Sequence, residues 1–173
     1  MIRFGTILYI CVTLLCACNK DEHNSENSVV ARPDVAILSA DSAATWATGF
    51  PASYKSALLT ESELSLIDSL INVALAERHI VLPAGDTLKQ PNAQDITATL
   101  ADYKRQYLAV TNARGQKEVW VNCFCKSIEK RIEFSDWQKM PVKVIGGGHC
   151  FFNVKIDLQQ KRVYDFRTNE SGS

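Results

Sequence analysis

Charge of one sign is what this chain lacks. Its 19 lysines and arginines are balanced by 19 aspartates and glutamates, so the formal net charge is zero. No global field draws it to nucleic acid or to anionic lipid. Histidine is scarce: of three, His23 sits in a polar N-terminal stretch, which leaves His79 and His149 for any folded part. Long apolar runs are missing as well. Phe4 to Ala17 is uncharged and mostly apolar, but it is shorter than the ~20 residues a membrane-spanning helix needs. The sequence contains no Ser-His-Asp signature, no G-x-S-x-G elbow and no dinucleotide fingerprint. Internal repeats and low-complexity blocks are absent too. What remains is a chain of 173 residues, 46% hydrophobic. That is ordinary for a globular protein and enough for one domain with its own core.

The first 17 residues read as a processing signal. Arg3 supplies a positive start, and the apolar run that follows has the length of a secretory h-region. It ends in "LCAC", with Leu15 at −3, Ala17 at −1 and Cys18 at +1. This resembles the bacterial lipobox, although Cys16 is an unusual occupant of −2. The resemblance implies a diacylglyceryl thioether on Cys18 and cleavage before it. Two or three acyl chains on one cysteine anchor a protein stably, where a single chain does not. Next comes "NKDEHNSENS", whose Lys20-Asp21-Glu22 resembles the acidic export signal of Bacteroidota surface lipoproteins. The implied location is the outer membrane, displayed at the cell surface or held on the periplasmic face. The expected organisation is a signal over residues 1–17, a lipidated cysteine and flexible tether over 18–33, and one domain over 34–173. Removing the signal takes away Arg3, so the mature chain stays near neutral.

One helix is well marked. Thr60-Glu61-Ser62-Glu63 has the form of a capping box, and both glutamates suit the positive end of a helix dipole. Leu64, Ile67, Ile71, Ala74, Leu75 and Arg78 follow helical spacing, widened by Leu70. Ser62, Ser65, Asp68, Ser69 and Asn72 form the opposite face. Arg78 and His79 fall in the last turn, and Pro83 and Gly85 stop the helix. Before it lies a segment over residues 32–56, rich in alanine, serine and threonine, in which Val35–Leu38 make a short strand or lie extended against the core and Trp46, Phe50 and Tyr54 pin the segment down by packing. Residues 83–99 read as a loop. From Tyr103 the pattern is that of strands: 103–111, a hairpin turn at 112–116 with Gly115 at positive φ, then 117–127. A connection over 128–141 carries a turn at 135–139. A strand over 142–158, interrupted by glycines, and a last strand over 163–166 complete the run.

The expectation is therefore an α+β fold, one amphipathic helix on a four-stranded antiparallel meander. This resembles the cystatin-like group, but the inhibitory Q-x-V-x-G motif is absent, so protease inhibition does not carry over. The C-terminal part, with "VWVNCFC" and "GGGHCFFNVKIDL", looks like small uncharacterised lipoprotein domains of the Bacteroidota. That likeness implies no activity.

The stretch "GGGHCFF", residues 146–152, invites a chemical reading. Side chains alternate across a strand, so Val119, Val121, Cys123 and Cys125 share one face. On the strand over 142–158, Cys150, Phe152, Val154, Ile156 and Leu158 likewise share a face, and both sets are assigned to the core side under the helix. His149 then points away from Cys150, and a nucleophile needs its base within hydrogen-bond reach. C-x-C along a strand is poor geometry for a tetrahedral zinc site. The glycines lead into a strand, not into a helix N-terminus that could cradle phosphate, so they mark a bulge or bend. The cysteines belong to the core, either as buried thiols or as one bridge plus a thiol. The bridge is Cys123–Cys150 or Cys125–Cys150, with a slight preference for the first.

Trp120, Phe124 and Phe151 fall on the opposite face. They make a binding face if the helix covers only one side of the sheet, unless residues 34–56 cover them. No catalytic residue, metal or cofactor is assigned. The expected function is a non-catalytic envelope lipoprotein that binds another protein. The alternatives are a small-ligand binder with a pocket between helix and sheet, and a thiol enzyme relying on Cys150 or Cys125.

Overall fold

The computed structural model describes residues 32–40, 46–77, 99–128 and 135–169. The signal, Cys18 and nearly all of the tether lie outside these residues, as do the helix end at Arg78 and His79, Pro83, Gly85 and almost all of the 83–99 loop. Among the described residues, no helix is long and apolar enough to cross a membrane.

The fold is α+β. Two short strands, β1 (Val35–Ile37) and β2 (Lys55–Ser56), precede the main helix α1 (Glu61–Glu77). Four longer strands follow: β3 (Tyr103–Thr111), β4 (Lys117–Cys125), β5 (Phe151–Asp157) and β6 (Arg162–Thr168). The capping box forms as the sequence predicts. The Glu63 amide donates to Thr60 Oγ1 at 3.2 Å, and the Thr60 amide donates to Glu63 Oε2 at 2.9 Å. Leu64, Ile67, Ile71 and Ala74 are buried against the sheet. Each large side chain fully buried there contributes about 1.5–3 kcal/mol. Asp68 departs from the expected solvent face. It accepts a hydrogen bond from the Tyr107 hydroxyl and lies 3.5 Å from the Arg105 guanidinium. Burial, with the Asp68 charge second, raises the pKa of Tyr107 and keeps its hydroxyl a donor.

The sheet is mixed and six-stranded, which corrects the expected four-stranded antiparallel sheet. β3 to β6 pair antiparallel in sequence order. Such a meander leaves one edge of β3 with unpaired backbone groups, and the N-terminal segment closes it. β1 runs parallel along residues 105–107, and β2 pairs antiparallel with residues 110–111. Flanking bonds extend the seam: Arg105 N to Asp34 O at 2.9 Å, Leu38 N to Tyr107 O at 2.8 Å, and Ala57 N to Ala109 O at 3.0 Å.

The last strand is not regular. Its register with β5 shifts between Asn153 and Lys155, so β6 carries an extra residue. Asp165 sits there at φ +50°, a conformation that aspartate tolerates better than most residues. The bulge lets Val163 and Phe166, three apart, both join the helix-side core.

Both faces of the sheet are covered. The helix side holds Tyr103, Tyr107, Val119, Val121, Cys123, Phe152, Val154 and Ile156. The outer side holds two further clusters. Leu38 and Phe50 pack with Leu108, Val110 and Trp120, while Ala36 and Trp137 pack with Phe124 and Phe151. Trp120, Phe124 and Phe151 are therefore buried and do not form an exposed binding face. The N-terminal segment covers the first of them, as the alternative expectation had it. The loop over 135–144, read from the sequence as a connection up to 141 and as strand from 142, helps to cover the other two.

Candidate functional site: a clamped loop on the outer face

The outer face carries a buried polar pair at its centre. Gln106 on β3 and Asn122 on β4 are cross-strand partners, and Asn122 Nδ2 donates to Gln106 Oε1 at 2.9 Å. Buried amides without partners are costly, and these two take theirs from the loop above. Gln106 Nε2 donates to the carbonyls of Trp137 and Met140. Gln106 Oε1 accepts the Val142 amide at 2.8 Å, and Asn122 Nδ2 also reaches Val142 O at 2.8 Å. The loop crosses the sheet as irregular chain because these bonds replace strand pairing. For the same reason residues 142–145 are not the strand that the sequence suggested, and β5 begins only at Phe151.

Two more ties hold the C-terminal half of the loop. Asn169 Nδ2 donates to Val144 O at 2.6 Å and to Gly146 O at 2.9 Å, one carbonyl on each side of Ile145. Gly146, Gly147 and Gly148 then take φ of +81°, +89° and +54°, values that side chains other than glycine rarely adopt. A Cβ on Gly147 would lie 2.6 Å from two carbons of the Phe151 ring. The glycine run is thus a left-handed turn packed against an aromatic ring, the bend expected in place of a phosphate cradle.

The turn sets the register of the cysteines. Phe124 opposes Phe151 and Cys123 opposes Phe152, so extending the same register places Cys125 opposite Cys150. The structure joins these two, with Cα atoms 4.9 Å apart, in place of the preferred Cys123–Cys150 pair. Cys150 ends a 3₁₀ turn over Gly148–Cys150, so it has not yet entered the strand. Cys123 is a buried free thiol. Burial pushes its pKa up, opposed by the Arg105 charge and assisted by Asp68, which leaves it protonated and inert. His149 is exposed, and its carbonyl accepts the Tyr103 hydroxyl at 3.0 Å. No group of three or more potential metal ligands occurs among the described residues.

This clamped loop presents apolar side chains to solvent. Ile145 is 100% exposed and Met140 48% exposed. Trp46 is 54% exposed, with Lys143 Nζ 5.1 Å from the centre of its ring. A cleft of about 410 Å³ runs beside Trp137, Met140, Val142 and Val144. Sequence patterns missed both residues because Met140 belongs to no period of 2 or 3.6 and Ile145 was expected within the strand over 142–158. The one available signal was an isoleucine directly before three glycines. Comparison with family models, with curated proteins and with solved structures gives no match.

Proposed function

We propose that this chain is a lipid-anchored cell-envelope domain that binds another envelope or extracellular protein and performs no chemistry of its own. One observation carries the binding reading. Ile145 is fully exposed, yet Asn169 fixes the carbonyls on both sides of it. Folding gains nothing from an apolar side chain held out in water. A rigid loop that offers one pays little ordering entropy when a partner covers it. Loops fixed on a rigid scaffold are where recognition residues concentrate.

The envelope reading is supported by the lipobox-like "LCAC" and by the Cys125–Cys150 bridge, since disulfides persist in oxidising compartments. The order of one helix followed by β3 to β6 supports a cystatin-like arrangement in the finer sense. A thiol enzyme is disfavoured by the joined Cys125 and Cys150 and the buried Cys123. A ligand pocket under the helix is disfavoured because Tyr103, Tyr107 and Phe152 fill the space between α1 and the sheet.

The test places a photo-crosslinking amino acid at position 145 and, as a control, at exposed Asn72 on α1, in cells that make the full chain. A discrete adduct from position 145, absent from position 72, is the expected result. Equal labelling from both positions would remove the loop from consideration. In the same cells, Cys18→Ala should move the chain out of the membrane fraction; unchanged fractionation would sink the anchoring reading.

A further inference from the structure

A second concave site lies on the same face but at the far end of the sheet, where the turns over residues 112–116 and 158–161 come together. It encloses about 390 Å³, within the range of small-ligand sites. We propose that this groove binds a neutral saccharide, independently of the protein-binding reading above.

Charge balance selects the ligand class. Glu118 and Asp157 are direct cross-strand partners in the groove, an arrangement that like charges normally disfavour. Arg114 and Arg162 line the same groove, so neither an anion nor a cation meets a field of one sign. The lining is mainly polar, which rejects an apolar ligand. The ligand that remains is uncharged and rich in groups that both donate and accept hydrogen bonds.

Three of the four carboxylate oxygens already accept a hydrogen bond, which holds the two side chains in place. Glu118 Oε2 accepts the Tyr164 hydroxyl, and Glu118 Oε1 accepts Asn112 Nδ2 at 2.6 Å. Asp157 Oδ1 accepts the Gln160 amide at 2.9 Å. Each of these oxygens keeps acceptor capacity for a hydroxyl.

Planar side chains and rings supply the rest. The Gln160 amide offers a donor and an acceptor edge, the Gln116 amide, whose Oε1 already accepts Asn112 Nδ2 at 3.1 Å, offers chiefly donors, and the Arg162 guanidinium offers donors only. Tyr54 and Tyr164 line the groove and are both partly exposed, which leaves some ring surface for the C–H side of a pyranose. The Tyr54 ring is stacked with Phe50 at 6.0 Å, and the Arg162 guanidinium lies 5.6 Å from the centre of the Tyr164 ring. Asn112 Oδ1 locks the first turn by accepting the amides of Arg114 at 2.9 Å and Gln116 at 3.0 Å. The groove is built before any ligand arrives.

The experiment is a nuclear magnetic resonance titration of the purified full chain in detergent. The probes are maltopentaose, cellopentaose, chitopentaose and mannopentaose, with glycylglycine as a zwitterionic comparator. At least one pentasaccharide should shift the Gln116 and Gln160 side-chain signals saturably. Arg114→Ala and Gln160→Ala, both at exposed rim positions, should each weaken that binding about 2- to 10-fold, the range expected for one hydrogen bond. The proposal is overturned if no pentasaccharide moves these signals at millimolar concentration. A larger response to glycylglycine, or saccharide binding that survives both substitutions unchanged, overturns it equally.

Discussion

Replacing Gly147 by alanine separates two costs that usually travel together. Gly147 and Gly115 both have positive φ, at +89° and +76°. An L-residue in that region costs roughly 1–2 kcal/mol. At Gly115 nothing lies within 4 Å of an added Cβ, whereas at Gly147 the Cβ would lie 2.6 Å from the Phe151 ring. That ring cannot give way freely. It is buried in a cluster with Phe124 and Trp137, and the last two meet edge-on at 5.6 Å. Forcing such a side chain aside costs a further ~1–3 kcal/mol. Gly115→Ala should therefore lose about 1–2 kcal/mol and Gly147→Ala about 2–5 kcal/mol. At roughly 2–4 °C per kcal/mol for a chain of this size, the two melting temperatures should separate clearly. Urea unfolding followed by circular dichroism measures both losses, and an unchanged m-value would place the effect in the native state. If both variants lose the same stability, the packing of the glycine turn against Phe151 is not what restricts this position.

Alkylation of the folded chain without reductant should leave Cys123 unlabelled near neutral pH, because burial keeps its thiol protonated. Rapid labelling there would contradict the core placement. Reductant with denaturant should expose Cys123, Cys125 and Cys150 together, and peptide mapping without reductant should recover Cys125 linked to Cys150. Asp165 gives a pH signature. Burial raises its pKa, but Lys155 at 2.8 Å and Arg167 at 2.7 Å outweigh this and hold it below its ordinary value. A lowered folded pKa gives stability that is present above the unfolded value near ~4 and is lost as pH falls through the folded value. Stability of the native chain should decline with acid in that window, and Asp165→Asn should show a shallower decline. Parallel acid profiles for the two proteins would remove Asp165 from the account.

Much of the helix side was legible because both of its periods are strict. The capping box fixed the start of α1, and residues 64, 67, 71 and 74 fixed its buried face. Alternation put Val119, Val121 and Cys123 beneath it. The outer side was less legible because its cover comes from segments without a period. Nothing in "WQKMPVKVI" announces that its backbone groups will be taken by Gln106 and Asn122, which lie 20 to 36 residues away from these partners in sequence. The bulge at Asp165 hid in the same way, since "VYDF" reads as a regular short strand until Val163 and Phe166 are seen on one face.

The cysteine pairing shows where alternation alone stops. It puts Cys123 and Cys125 on the same face and gives no reason to choose between them, since they differ by one full period. The choice rests on register, and register rests on where β5 begins. The left-handed glycines end at Gly148, and β5 starts only after the 3₁₀ turn that follows. This places Phe151 opposite Phe124, so Cys150 faces Cys125 just beyond the last paired residues. A register shifted by two residues would keep every core side chain on its own face and would bring Cys150 opposite Cys123. It would also pull the outer-face aromatics Phe124 and Phe151 out of alignment beneath Trp137. The packing of those rings and the glycine turn thus select the same bridge for independent reasons.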